Sequence, residues 1–392
     1  MIDLFNPSEE HAALRTMVRD FATHELEPQA AAHDRDERFN LPLFRKLGDL
    51  GLLGITVDER FGGSGLDAVA AVIAHEELAA VDPGFCLAYL AHAMLFANNL
   101  VINGDDSQRL RLLPDACAGR KIGGMCMSEP GAGTDVLGMA SRLTPIDDGF
   151  ALTGRKMWIT NGAVGENELG DCFLVYAHAG APGSRALTLV LVEKGMPGFR
   201  LGQKIHDKLG MRASTTAELV FDAVPIPRQN VVGSVGSAVR SMMRNLELER
   251  LTLAAMSLGI ARRSIEIMNR YASERQSFGK PLREFGQIQR HIAESWAEWM
   301  AGRCYVYKTA AELRLSGDGN RIDSDGVKLY CATMAKNVAD RAIQVLGGYG
   351  YVGEYVVERL WRDAKLLEMG GGTNEAHQKN MTRDLASMTI VR

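Results

Sequence analysis

Between Lys121 and Val232 the chain changes character, and this change constrains the fold more than any other feature. On either side, apolar residues recur at helical spacing. Inside, short alternating runs are separated by turn signals. A helical stripe and a two-residue alternation bury their apolar faces differently, so each stretch needs its own packed layer. The pattern predicts a mainly α chain with a central β domain. Residues 1–121 form an N-terminal all-α domain, 122–233 a central β domain built as a small barrel, and 234–392 a bundle of long helices.

Local signals fill in this outline. Asn6-Pro7-Ser8-Glu9 offers an N-cap, and Leu14, Met17, Val18 and Phe21 follow at helical spacing. Leu41-Pro42 opens a second helix that ends at Gly51. Further helices are expected over 67–80, from Asp82-Pro83-Gly84 toward Asn103-Gly104, and over 107–118. Strands are expected over 150–154, 172–176, 187–192 and 218–221, with turns at Asp147-Asp148-Gly149, Asn161-Gly162, Pro182-Gly183 and Pro197-Gly198. The last third reads as helices over 238–272, 285–316, 323–346 and 354–369, with another from 374.

Composition removes several functional classes. The 392 residues carry a net charge of −4, which gives no basic field for nucleic acid. No apolar run approaches bilayer length, so no membrane span is expected. Asp3, Glu9 and Glu10 argue against a secretory leader. The six cysteines form no CxxC pair and the nine histidines no HxxxH, so reduced thiols, no metal centre and a cytoplasmic setting are expected.

Glu249 stands out among residues that could carry chemistry. Leu246, Glu249, Leu253, Met256 and Ile260 alternate steps of three and four, which sets a carboxylate inside an apolar stripe. Burial there would raise its pKa toward the range of a general base; the plainer alternative is a surface carboxylate paired with Arg250. Met127 to Asp135 is a glycine-bearing loop whose backbone N–H groups suit either a ligand or an ordinary turn. Trp158 either packs on a flat ring system or covers the barrel rim. Gly347, Gly348 and Gly350 suit a ligand or a helix C-cap. Gly370-Gly371-Gly372-Thr373 supplies N–H donors to a thioester or cofactor, or is a hinge.

In order, Ser128-Glu129-Pro130-x-Ala132-Gly133-Thr134-Asp135, Trp158-Ile159-Thr160-Asn161, Arg275-Gln276-Ser277-Phe278-Gly279, Gln344-x-x-Gly347-Gly348-x-Gly350-Tyr351, Arg362-Asp363-Ala364-Lys365 and Gly372-Thr373-x-Glu375 resemble the acyl-CoA dehydrogenase flavoprotein family. The resemblance covers essentially the whole chain. Residues 192–199 and 208–212 are most similar to the isovaleryl-CoA, short or branched-chain, branch. The resemblance implies a C-terminal four-helix bundle behind the helical and β domains, noncovalent FAD, a homotetramer and an electron-transferring flavoprotein partner. The implied reaction converts an acyl-CoA to the 2-enoyl-CoA. A glutamate takes the α-proton while flavin N5 takes the β-hydride.

The usual base position in that family is Gly371 here, which can do no acid–base chemistry. A minority branch carries the base on the first long C-terminal helix, and that position matches Glu249. By resemblance, Met125, Met127, Ser128, Gly133, Thr134, Trp158, Ile159 and Thr160 line the flavin. Arg275, Phe278, Gln344, Gly347 and Gly348 reach it from a neighbouring subunit, and Thr373 and Glu375 also touch it. Thr134, Ser184, Arg185, Glu247, Arg250, Gly371 and Gly372 match acyl-CoA positions, with Leu90 and Met94 on the pocket floor. Gly286 replaces a flavin-contacting glutamine, for which Gln287 is the substitute. Arg240 and Arg244 are added cations that would meet CoA phosphates, an acidic acyl group or solvent. The substrate so implied is short or branched, isovaleryl-CoA-like. Long-chain, dicarboxylic or aromatic thioesters are the alternatives, and a non-dehydrogenating flavin- or acyl-binding relative is the rival of another class.

Overall fold

The structure is a computed structural model that describes residues 3–180, 186–315 and 321–388. The N-terminal helices are α1 (Glu9–Phe21), α2 (Glu27–Arg35), α3 (Leu41–Asp49), α4 (Ala68–Ala79), α5 (Pro83–Leu90), α6 (Asn99–Asn103) and α7 (Asp106–Cys117). The first helix begins two residues later than its sequence signal, capped by Ser8 rather than Asn6 and leaving Pro7 outside, while the starts at Leu41, Ala68 and Pro83 agree with theirs. Ser8, Asn40, Asp67 and Asp82 each accept a backbone N–H at a helix N-terminus, and Asp105 with Gln108 forms a reciprocal capping box.

The segment Pro83–Asn103 differs from expectation. It is continuous helix, with Ala91–Asn98 wound as π-helix, and its 21 residues are long and apolar enough to cross a bilayer. Interior His92, Asn98 and Asn99 disguise that run in the sequence. Most of it is buried inside the protein as a core helix. His92 shows why: its Nδ1 accepts the Gly123 N–H and its Nε2–H donates to the Ala116 carbonyl, tying the helix to the first strand.

The strands are β1 (Gly123–Cys126), β2 (Arg142–Ile146), β3 (Gly149–Thr160), β4 (Cys172–Ala179), β5 (Ala186–Glu193), β6 (Phe199–Lys204), β7 (Thr216–Pro227) and β8 (Val231–Val232). They form one sheet in the order β6-β7-β3-β2-β4-β5-β8, with β1 pairing β4 alongside β2. The sheet curls over one core: Phe199 on β6 meets Phe173 on β4, well along the strand order, at 5.7 Å between ring centroids. The hydrogen-bonded path stays open between β6 and β8, so the barrel is partly open. Alternation along β4 sends Phe173, Val175 and Ala177 into that core. Cys172, Leu174 and Tyr176 face the other way, against Phe96, Leu100 and Met242.

The C-terminal helices are α8 (Ala238–Glu274), α9 (Gly286–Glu312), α10 (Arg321–Leu346), α11 (Val357–Leu367) and α12 (Asn374–Leu385). At 37 residues, α8 runs about 55 Å and packs on α4, α9, α10 and the sheet. Every residue of α4 is buried, because α8 comes very close to it. A Cβ on Gly259 would stand 2.3 Å from the Glu76 carbonyl oxygen and 2.8 Å from the Ala80 nitrogen. Both are backbone atoms and yield little. Gly259→Ala is expected to destabilise the fold by ~1–3 kcal/mol, read as a lower thermal midpoint by circular dichroism; an unchanged midpoint would show that the helices separate freely.

Candidate active site

Glu249 is buried on α8, with its carboxyl against the turn between α11 and α12. A Cβ placed on Gly371 would lie 3.6 Å from Glu249 Cδ and Oε1, and 2.3 Å from Leu253 Cδ1. The turn can come this close because Gly371 and Gly372 both have positive φ, +67° and +101°, where a side chain is disfavoured. Helix α11 stops before the turn, and Thr373 caps α12 after it by accepting the Ala376 N–H. The residue without a side chain and the residue with a carboxyl therefore meet at one point. Burial pushes the Glu249 pKa up to about 7, against the pull of the Arg250 and Lys328 cations, and Oε2 has no hydrogen-bond partner. A carboxylate so poised can accept a proton at neutral pH.

Charged groups on α8, α10 and α12 surround the turn. Lys328 Nζ donates to the Gly372 carbonyl at 2.6 Å, and His377 Nε2 approaches the same oxygen at 3.0 Å. His377 Nδ1 lies 2.6 Å from Asp325 Oδ1, which also forms an ion pair with Arg250 at 2.9 Å. Burial lowers the Lys328 pKa to about 8, with Glu249 opposing that shift. Lys328, His377 and Asp325 were not singled out from the sequence. A usable signal existed: Asp325, Lys328, Ala332, Ala335 and Ala339 run along the buried stripe of α10, so two of its members are charged.

The β domain closes the other side. Met125 on β1 lies against α8 through its sulfur, 3.9 Å from the Asn245 amide, one helical turn before Glu249. Asn99 reaches the same sulfur and the Tyr176 hydroxyl. From β1 the chain enters the loop holding Met127, Ser128, Gly133 and Thr134. This loop is anchored by a buried pair, in which Lys156 Nζ donates to Glu129 Oε1 at 2.9 Å and to the Met127 carbonyl at 3.0 Å. The Met157 N–H donates to the Ser128 carbonyl, so the loop and the end of β3 are side by side.

There the β3–β7 register slips between Lys156 and Ile159. Trp158, at φ +65°, is turned outward and is 61% exposed, an unusual setting for so large a ring. The Ile159 side chain belongs to the barrel core, so it is the backbone of this residue that is open to a ligand. A Cβ on Gly131 or Gly133 would meet only open space. An outward aromatic face beside an open glycine loop fits a flat dinucleotide cofactor.

The remaining expected cofactor residues lie elsewhere. Arg275, Phe278 and Gln287 follow the far end of α8, beyond the 26 residues, or about 39 Å of helix, that separate Arg275 from Glu249. Arg275 lies over the Tyr349 ring, which brings the Gly347-Gly348 turn to the same end. These residues and Gln344 are exposed, and Phe278 is 94% so. The single chain thus presents two separate halves. Glu247 and Arg250 are buried on α8 near Glu249, whereas Arg240 is exposed at its start and Arg244 is half-buried. Thr373 and Glu375 begin α12 next to the glycine turn. Ser184 and Arg185 lie outside the described residues. No cluster able to hold a metal is present among the described residues.

Comparison with known proteins agrees with this arrangement. The acyl-CoA dehydrogenase N-terminal, middle and C-terminal domain families match residues 8–120, 124–224 and 237–386. The chain is 40% identical over 385 residues to "Isovaleryl-CoA dehydrogenase, mitochondrial" of Oryza sativa subsp. japonica, covering 97% of this chain and 92% of that one. It is 39% identical over 371 residues to "2-methylacyl-CoA dehydrogenase, mitochondrial" of Solanum tuberosum, covering 94% and 88%. Among solved structures, butyryl-CoA dehydrogenase from Megasphaera elsdenii superposes with a TM-score of 0.92 at 33% identity, covering 97% of this chain and 98% of that one. With all three domains matched in order, the chain belongs to the acyl-CoA dehydrogenase family of flavin-dependent oxidoreductases.

Proposed function

We propose that this protein dehydrogenates a short or branched-chain acyl-CoA, isovaleryl-CoA-like, to the 2-enoyl-CoA, with Glu249 taking the α-proton. The observation that carries this reading is the buried Glu249 carboxyl, unpartnered at Oε2 and in contact range of the Gly371 turn. An α-C–H is a weak acid, so its removal needs a base already oriented and a stabilised oxyanion. Glu249 supplies the first. The backbone N–H groups of the left-handed turn are the candidate donors for the second. Half-buried Met125 and buried Leu253, with buried Leu90 and Met94 as the floor by resemblance, would exclude water.

Met125, Met127, Ser128, Gly133, Thr134, Trp158 and Thr160 would hold FAD beside Glu249, with Thr373 and Glu375. When bound, that cofactor supplies the hydride acceptor. Arg275, Phe278, Gln287, Gln344, Gly347 and Gly348 are too far away in the same chain to reach it. Their exposure supports a homo-oligomer, a tetramer by resemblance, in which a second copy completes the site. An electron-transferring flavoprotein is the proposed electron acceptor.

An uncharged acyl group is favoured over a dicarboxylic one. Among the described residues, the cations with charge interactions reaching Glu249 are Arg250, which already faces the Asp325 carboxylate although its Nε and Nη1 have no hydrogen-bond partner, and Lys328, which donates to the Gly372 carbonyl. Arg240 is exposed at the start of α8. The test is the visible spectrum of the anaerobic holoenzyme before and after isovaleryl-CoA. Prompt bleaching of the oxidised flavin band is expected. A spectrum unchanged by isovaleryl-CoA and by straight-chain, dicarboxylic and aromatic thioesters would sink the reading.

A further inference from the structure

We propose that Lys328 and His377 are positioning residues: they hold the Gly372 carbonyl from two sides and so fix the Gly371–Gly372 turn against the Glu249 carboxyl. The proposal rests on the dehydrogenase reading and extends it to residues that touch neither Glu249 nor the reacting bond.

The turn needs such a device. Two successive glycines at positive φ have the widest conformational freedom of any dipeptide, and their backbone alone does not select one state. Here one carbonyl is fixed by two donors, Lys328 Nζ at 2.6 Å from α10 and His377 Nε2 at 3.0 Å from α12. A carbonyl oxygen only accepts, so Nε2 must carry a hydrogen. Asp325, 2.6 Å from the other ring nitrogen, allows that state in two arrangements of their protons, whereas a neutral ring donating from Nδ1 to the carboxylate would leave Nε2 without its hydrogen. An imidazolium beside a carboxylate keeps Nε2–H, and so does a neutral ring accepting from a protonated Asp325.

The ring also sets the lateral position of the turn. A Cβ on Gly372 would stand 3.1 Å from His377 Cε1 and 3.2 Å from Nε2, so the edge of the imidazole closes against the turn. Arg250 pairs with Asp325 and follows Glu249 in sequence, which links the clamp back to the base on α8. The groups with charge interactions reaching Glu249 come from three elements: Arg250 on α8, Lys328 on α10 and Tyr176 on β4. Lys328 therefore acts twice, as donor to the turn and as the cation that favours ionised Glu249.

The dual role gives a readout that a merely structural lysine would not move. In Lys328→Met holoenzyme, kcat on isovaleryl-CoA should fall ~10–100-fold through misplacement of the turn, with flavin content retained. The acid limb of its kcat/KM–pH profile should also shift to higher pH, since removal of a cation disfavours the carboxylate. Lys328→Arg keeps charge and donors and should hold the acid limb near its wild-type place. His377→Gln, which keeps an amide donor, should retain several-fold more activity than His377→Leu, and this pair keeps the test open if Lys328→Met does not accumulate. Normal kcat in Lys328→Met, or a loss proportional to lost flavin with an unmoved acid limb, would overturn the proposal, as would equal activity in the two His377 variants. Wild-type holoenzyme that no acyl-CoA reduces would overturn the dehydrogenase reading and this proposal with it. Wild type that bleaches normally while the variants behave as wild type would overturn this proposal alone.

Discussion

Glu249→Gln holoenzyme should keep its flavin and lose turnover on acyl-CoA by roughly 10²–10⁴-fold, the range that a positioned base contributes. The amide matches the carboxylate in shape and cannot accept the proton, so the loss should fall on kcat with little change in KM. Rapid-mixing measurement of flavin bleaching would check this, and near-normal bleaching would remove Glu249 from the mechanism. Two pH effects follow from its pKa of about 7. The base must be ionised, so wild-type kcat/KM should fall as pH drops below about 7. Stability runs the other way. The folded pKa lies above the ordinary 4.5, so folding favours the neutral carboxyl. That contribution is complete below about pH 4.5 and is lost as pH rises through about 7, up to ~3 kcal/mol for a shift of this size. Glutamine never ionises, so Glu249→Gln should gain stability relative to wild type across that window. Parallel melting curves at pH 5 and pH 8 would show it, and a constant difference would contradict it.

Glu249 was legible in the sequence because α8 is long and regular enough for a stepped apolar stripe to expose one misplaced acid. The helix starts at Leu41, Ala68 and Pro83 were legible for a similar reason, since Asn40, Asp67 and Asp82 cap by contacts within three residues. The Asp147-Asp148 turn is equally local, and Ile146 pairs Gly149 across it. What was missed depends on distant partners. Phe199–Lys204 is an edge strand with a largely polar face. The π-helical turn at His92 exists to meet Ala116 and Gly123. Lys328 and Asp325 were not singled out because their partners lie 44 and 52 residues along the chain. The site itself is split in the same way. Its base could be read from one helix, while the clamp around the base comes from three elements that meet only in the folded protein.

Gly371→Ala should be the second severe change, for two separable reasons. At φ +67° an L-residue is strained by ~1–2 kcal/mol, whatever space surrounds it. In addition, the new methyl would stand 2.3 Å from Leu253 Cδ1, a buried side-chain terminus. Leu253 must move or the turn must, and the turn faces Glu249. A displacement of about 1 Å at the reacting groups costs on the order of 100-fold in rate, so kcat/KM should fall by about that factor. Combining Gly371→Ala with Leu253→Ala removes the collision and leaves the strain. The pair should therefore be non-additive, with the double variant more active than Gly371→Ala alone. The same methyl fills space that an acyl branch would use, so isovaleryl-CoA should suffer more than butyryl-CoA. Steady-state kinetics of the four proteins on both thioesters, normalised to flavin content, would decide. Equal losses on the two substrates would show that the branch lies away from residue 371. A double variant no better than Gly371→Ala would assign the whole effect to backbone strain. In that case glycine stands at 371 for its φ angle rather than for the space it leaves.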